Sequence, residues 1–143
     1  MTAYVVDASV AAKWLFVEEH SDRAAYLWRH NEELRAPDFL HIELTNVVRT
    51  KVLRRQYPRE LAAELPGLLS DFPLILSPSR SLLPPALDLA IQHSRSVYDS
   101  LYLALAARYD CPLVTADRRF YNALIDLFPG HLTWVGDLEG AAE

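Results

Sequence analysis

Four carboxylates in this chain stand where a carboxylate needs a reason. Asp7 closes the β-branched run AYVV, and Asp117 follows LVTA. Asp99 opens the almost entirely apolar stretch VYDSLYLALAA, and Glu43 has Phe39, Leu40, Asn46 and Val47 as its i±3 and i±4 neighbours, so it borders an apolar helical stripe. Each has a structural explanation taken alone. Asp7 reads as a strand-end acid whose neighbour Ser9 caps the next helix. Ser96-Val97-Tyr98-Asp99 fits the S-x-x-D form of a capping box, Asp117 can cap a helix beginning at Arg118, and Glu43 can be a partly exposed helix acid. Brought together, the four would do something else. Two unit charges about 6 Å apart repel by roughly 3 kcal/mol at an effective dielectric of about 20, and several such pairs rival a domain's whole stability of about 5–15 kcal/mol. A divalent cation offsets that repulsion, and oxygen donors without a His or Cys cluster point to Mg²⁺ or Mn²⁺ rather than Zn²⁺.

Other chemistries lack their residues. His20, His30, His41, His93 and His131 show no H-x-x-x-H pairing, and His41-Ile42-Glu43 is not a metalloprotease pattern, so the histidines read as structural or surface groups. The four glycines form neither G-x-G-x-x-G nor G-x-x-x-x-G-K-[ST], which excludes a dinucleotide or P-loop site. Ser9, Ser96 and Ser100 lack the G-x-S-x-G elbow of a hydrolase. Phosphoryl transfer through Asp7 as a nucleophile wants a second Asp two positions on, where Ser9 stands. Cys111 is the single cysteine, which rules out an intrachain disulfide and suits packing before Pro112.

The elements that must position these acids are legible as alternation. Ala3 to Val6, Leu34 to Ala36, Leu74 to Leu76, Leu113 to Thr115 and Leu132 to Val135 read as short strands, with helical periodicity at about 9–17, 21–31, 38–55, 59–71, 82–94, 97–109 and 117–127. Strands alternating with helices imply a mostly parallel sheet covered on both faces. Ligands of such sheets bind beyond the carboxyl ends of the strands, where Asp7 and Asp117 fall.

A chain of 143 residues is the size of one domain with a real core. Its 51% hydrophobic and 23% charged residues suit a globular protein, and no apolar run is long enough to span a membrane. MTAYVVDAS has no secretory pattern, so a cytoplasmic location is expected. The net charge of −5 argues against nonspecific polyanion binding by the whole surface. Arg49, Lys51, Arg54, Arg55 and Arg59 form one basic run and Arg118 and Arg119 a smaller one, each readable as a solvated helix face.

Four segments together resemble the PIN domain family, and within it the VapC-type toxin branch: VVDASV, PDFLHIELTNVV, SVYDSLYLALAARYDCPLVTADRRF and the terminal LTWV. D-x-S, E-x-x-N, Y-D-x-x-Y and T-A-D-x-x-F occur in order over nearly the whole chain, whereas residues 55–87 carry little family signature. The resemblance implies a three-layer α/β/α sandwich with a central mostly parallel sheet, in one domain over residues 1–143. It also implies an endoribonuclease site of Asp7, Glu43, Asp99 and Asp117 that binds Mg²⁺ (or Mn²⁺). Asp7 and Asp99 would be core ligands, Asp117 a direct or water-mediated one, and Glu43 would hold water or complete a second metal position. Ser9, Asn46 and Thr115 would support them, and Arg118 and Arg119, with Arg49, Arg54 and Arg55 behind them, would contact RNA. Further implications are a homodimer and a VapB-type antitoxin that silences the site with an apolar helix and a basic side chain. Trp14, Phe16, Tyr26 and Trp28 either line the antitoxin's groove or belong to the core. The alternative reading is a noncatalytic protein-binding module that keeps the fold.

Overall fold

The structure, a computed structural model, describes residues 2–30 and 32–139. Short aliphatic runs form five parallel strands, β1 (Ala3–Val6), β2 (Glu33–Pro37), β3 (Leu74–Ser77), β4 (Leu113–Thr115) and β5 (Leu132–Trp134), in the spatial order β3-β2-β1-β4-β5. Among the described residues seven α-helices connect them: α1 (Ala8–Leu15), α2 (Ser21–Arg29), α3 (Leu40–Leu53), α4 (Arg59–Ala62), α5 (Leu83–His93), α6 (Val97–Tyr109) and α7 (Arg118–Leu124). From β1 the chain moves outward to β2 and β3, then returns to add β4 and β5 on the other side of β1. Right-handed crossovers therefore put α1 to α3 on one face and α5 to α7 on the other. The packing agrees, since α1 contacts α2 and α3 while α5 lies along α6. The direction of winding reverses between β1 and β4, and that switch point is where an open parallel sheet leaves a crevice.

The core lies on both sides of β1 and β4. Val5, Val6, Leu34, Leu113 and Val114 are fully buried in the sheet. Helix α6 packs on β1, β2 and β4 beneath α5, and Ser100 through Ala106 are buried without interruption. Its apolar residues occupy every side of the helix, the pattern of a buried rather than a surface helix.

Several boundaries differ from the expectation for physical reasons. The helix expected over 59–71 breaks into α4 and a 3₁₀ segment, Pro66–Asp71, because Pro66 has no N–H to donate and Gly67 is a poor helix former. Pro84 and Pro85 are accommodated in the first turn of α5, where the missing N–H groups would have no helical partner, and a 3₁₀ segment, Ser79–Leu82, leads into it. Val135 leaves β5 for a terminal 3₁₀ turn. Asn31, where the second helix was expected to end, lies outside the described residues. No helix among the described residues is long and apolar enough to cross a membrane.

Candidate metal centre

In a parallel sheet the returning helices run antiparallel to the strands, so their N-termini collect at the carboxyl edge. All four acids sit there. Asp7 is the N-cap of α1, Asp117 the N-cap of α7, Asp99 lies in the first turn of α6, and Glu43 in the first turn of α3. Four helix dipoles thus point positive ends toward the carboxylates, each offsetting roughly 0.3–1 kcal/mol of their repulsion. The acids meet in a cavity of about 80 Å³ at the switch point, lined by Asp7, Ala8, Ser9, Glu43, Asp99, Tyr102, Asp117 and Phe120.

Asp7 is the most constrained of the four. Its Oδ1 accepts from Ser9 Oγ at 2.5 Å and from the Val10 N–H at 3.1 Å, and its Oδ2 accepts from Thr115 Oγ1 at 2.6 Å. The cap of α1 is therefore Asp7 itself, which corrects the expectation that Ser9 caps this helix. Ser9 instead receives the Ala116 N–H at 2.9 Å, and Thr115, fully buried, receives the Asp117 N–H at 3.1 Å. These two hydroxyls tie the end of β1 to the end of β4. Burial nevertheless pushes the Asp7 carboxyl up to about 6, against the pull of its hydrogen bonds and with a further push from the Asp117 charge.

Asp117 accepts from the Phe120 N–H at 3.1 Å, so it caps α7 and borders the cavity at once. At Asp99 the capping box forms on one side: Ser96 Oγ accepts from the Asp99 N–H at 3.0 Å, while the Asp99 carboxylate engages Arg95 Nη2 at 3.3 Å. Burial is the main cause that raises the Glu43 carboxyl, and the charges of Asp7 and Asp99 add to it. The Tyr102 hydroxyl faces Glu43 closely enough to oppose that rise, and among the described residues it makes no formed hydrogen bond.

The donor set is carboxylate and hydroxyl oxygen, the hard ligands that suit Mg²⁺ or Mn²⁺. Asp7 uses three of roughly four carboxylate lone-pair positions on protein donors, leaving capacity for an ion. Among the described residues no three Asp, Glu, His or Cys side chains are drawn tightly enough together to enclose an ion without adjustment. The residues fit the group in kind: burial raises the Asp7 and Glu43 carboxyls, and a cation beside them would offset that cost.

Of the supporting residues, Ser9 and Thr115 reach Asp7, whereas Asn46, one turn beyond Glu43, is exposed and does not line the cavity. Arg118 lies over the Trp134 ring at 3.8 Å from its centroid, and Arg119 is exposed beside it. Trp14 and Trp28 both pack on Phe72 against the core, and Trp14 donates to the Ala24 carbonyl, so the core reading holds for these two. Phe16 packs edge-on against Tyr57 under Lys51, and Tyr26 stacks on His30. Lys51 of the basic run pairs with Glu18 at 2.8 Å. Tyr102 and Phe120, the closing residues of Y-D-x-x-Y and T-A-D-x-x-F, line the site, and Arg95, which no motif contains, borders it at Asp99. Their signal was spacing: Arg95 and Tyr102 stand four residues before and three after Asp99, and Phe120 three after Asp117.

The PIN domain family model matches residues 4–124. Ribonuclease VapC3 of Pyrobaculum aerophilum is 30% identical over 131 residues, which span 90% of this chain and 97% of that protein. Among solved structures, PAE2754 from Pyrobaculum aerophilum superposes with a TM-score of 0.68 at 22% identity, covering 94% of this chain and 85% of its own. Mycobacterium tuberculosis VapC20, a sarcin–ricin loop cleaving toxin, superposes with a TM-score of 0.62 at 16% identity over 84% of this chain and 94% of its own. These last two likenesses establish the fold.

Proposed function

The chain belongs to the PIN domain family, and from that premise we propose that it is a metal-dependent endoribonuclease of the VapC type, the toxin of a toxin–antitoxin pair. The observation that carries the reading is the convergence of Asp7, Glu43, Asp99 and Asp117 on one cavity at the sheet's switch point. Asp7 and Asp99 would hold the Mg²⁺ (or Mn²⁺), Asp117 would join them directly or through water, and Glu43 would hold water or complete a second position. When bound, the divalent cation supplies Lewis-acid chemistry: it lowers the pKa of water and offsets the charge of the phosphodiester. Ser9 and Thr115 orient the Asp7 carboxylate, and the Ala8 and Phe120 side chains give the cavity an apolar wall that keeps the local dielectric low. Water, not a side chain, attacks phosphorus and loses a proton as the P–O3′ bond breaks and the departing 3′ oxygen takes one up, leaving 5′-phosphate and 3′-hydroxyl ends. A ribonuclease relative at 30% identity across nearly its full length supports RNA as substrate. The same kinship supports a VapB-type antitoxin as partner and a second copy of the chain in a homodimer.

The test is cleavage of a panel of structured RNAs in Mg²⁺, Mn²⁺ or EDTA by the wild type, Asp7→Asn and Asp99→Asn. Cleavage by the wild type alone, abolished by EDTA, is the expected result. Equal activity of all three proteins would overturn the site, and tight capture of a protein partner with no cleavage would favour the noncatalytic module.

A further inference from the structure

An acidic cavity that receives a phosphodiester needs a cation at its rim as well as one inside. Every side chain lining this cavity is acidic, hydroxylic or apolar. Among the described residues, the ion pair between Arg95 and Asp99 is the one such contact made by any of the four acids. Arg95 sits at the middle of the three-residue corner, Ser94 to Ser96, between α5 and α6, and the corner's backbone is built to hold it. Ser94 adopts the left-handed conformation (φ 52°), the Arg95 N–H bonds the Ala90 carbonyl at 3.0 Å, and Ser96 begins the capped turn of α6. The guanidinium lies 5.7 Å from the ring centroid of Phe120, a wall of the cavity.

The backbone is fixed in place, but the side chain is little used. Its contact with Asp99, at 3.3 Å, is a single long bond where a good charge-assisted one would be about 2.7–2.9 Å and often two-pronged. Its Nε–H is buried with no partner, and the side chain as a whole remains 29% exposed. Most of its five donors are therefore unspent. Arg118, the cation suggested by the sequence, already covers the face of Trp134.

We propose that Arg95 is the phosphate-contacting residue of this site, donating to a nonbridging oxygen of the RNA phosphate at the acidic cavity and releasing Asp99 to its role as a metal ligand. The inference rests on the ribonuclease reading. It is tested by kcat/KM for RNA cleavage in Mn²⁺ over a series of monovalent salt concentrations, for the wild type, Arg95→Gln and Arg95→Lys. Mn²⁺ titrations of the RNA-free proteins accompany the kinetics, and matched melting curves establish that the variants are folded. Arg95→Gln should lower kcat/KM by about 10- to 100-fold, the range for a lost hydrogen bond to a charged group. It should also flatten the log–log salt slope by about 0.7, the share of one phosphate contact on a single strand. Arg95→Lys should restore the slope and only part of the rate, and Mn²⁺ affinity without RNA should be unchanged or tighter. An unaltered slope overturns the proposal, whether the rate is unaltered too or has fallen only as far as weakened Mn²⁺ binding explains. A wild type that cleaves no RNA sinks the ribonuclease reading and this inference with it, whereas an active wild type matched by Arg95→Gln sinks this inference alone.

Discussion

Asp7→Asn should stabilise this protein in the absence of metal and destroy the benefit it draws from metal. Asn keeps the shape of the side chain and is an equally good N-cap for α1. It removes a carboxyl whose pKa rises from 3.8 in the unfolded chain to about 6 in the fold. A raised folded pKa means that the native state holds this proton more tightly, so its contribution is fully present below about pH 4 and is lost as pH rises through 6. At about 1.4 kcal/mol per pH unit, the ionised carboxylate costs the metal-free protein about 3 kcal/mol at pH 7.5. The variant forfeits one of the two hydroxyl bonds, from Ser9 or Thr115, since an amide nitrogen cannot accept, and that loss is worth about 1 kcal/mol. The net gain is about 2 kcal/mol, or about 6 °C in Tm for a chain of this length. Thermal melts by circular dichroism in EDTA should show the gain at pH 7.5 and its disappearance by pH 4. In Mn²⁺ at a hundred times its Kd the wild type should gain about 2.7 kcal/mol and the variant far less, which reverses their order. A variant less stable than the wild type in EDTA at pH 7.5, and stabilised equally by Mn²⁺, would refute the account of Asp7 as a desolvated carboxylate, only partly offset by its hydrogen bonds, that holds a metal.

Thr115→Val removes a fully buried hydroxyl that donates to Asp7 and accepts from the Asp117 N–H. It should cost about 1–3 kcal/mol in denaturant melts, and by raising the Asp7 carboxyl further it should move the acid limb of the pH–activity profile to higher pH. Ser96→Ala deletes the cap of α6 and should lower stability by about 1 kcal/mol. Because the same bond fixes the first turn that carries Asp99, Mn²⁺ affinity measured by calorimetry should fall with it, and undiminished affinity would separate the cap from the site.

Much of this protein is written locally. AYVV and LVTA carry β-branched residues in runs too short for helices, and the stretch from Val97 to Tyr109 is apolar on every side, so β1, β4 and the buried α6 follow from the chain alone. Asp7, Asp99 and Asp117 were legible for the same reason: an acid beside a buried element is conspicuous in sequence. Local signals also mislead where the next contact is not local. Ser9 stands where a cap belongs, but β4 passes close enough for Ser9 to bond Ala116, and Asp7 takes the cap. Asn46 lies one turn beyond Glu43, but it is exposed and does not line the cavity. What only the tertiary structure decided is the meeting itself. The reversal of winding between β1 and β4 gathers four helix N-termini at one edge, and no pattern within a single element encodes that. Tyr102 faces Glu43 from the opposite side of the sheet's end, and Arg95 reaches Asp99 from a corner in which Ser94 is left-handed. The types of the acids are a property of the sequence. Their shared field arises from burial and from the topology that brings them together.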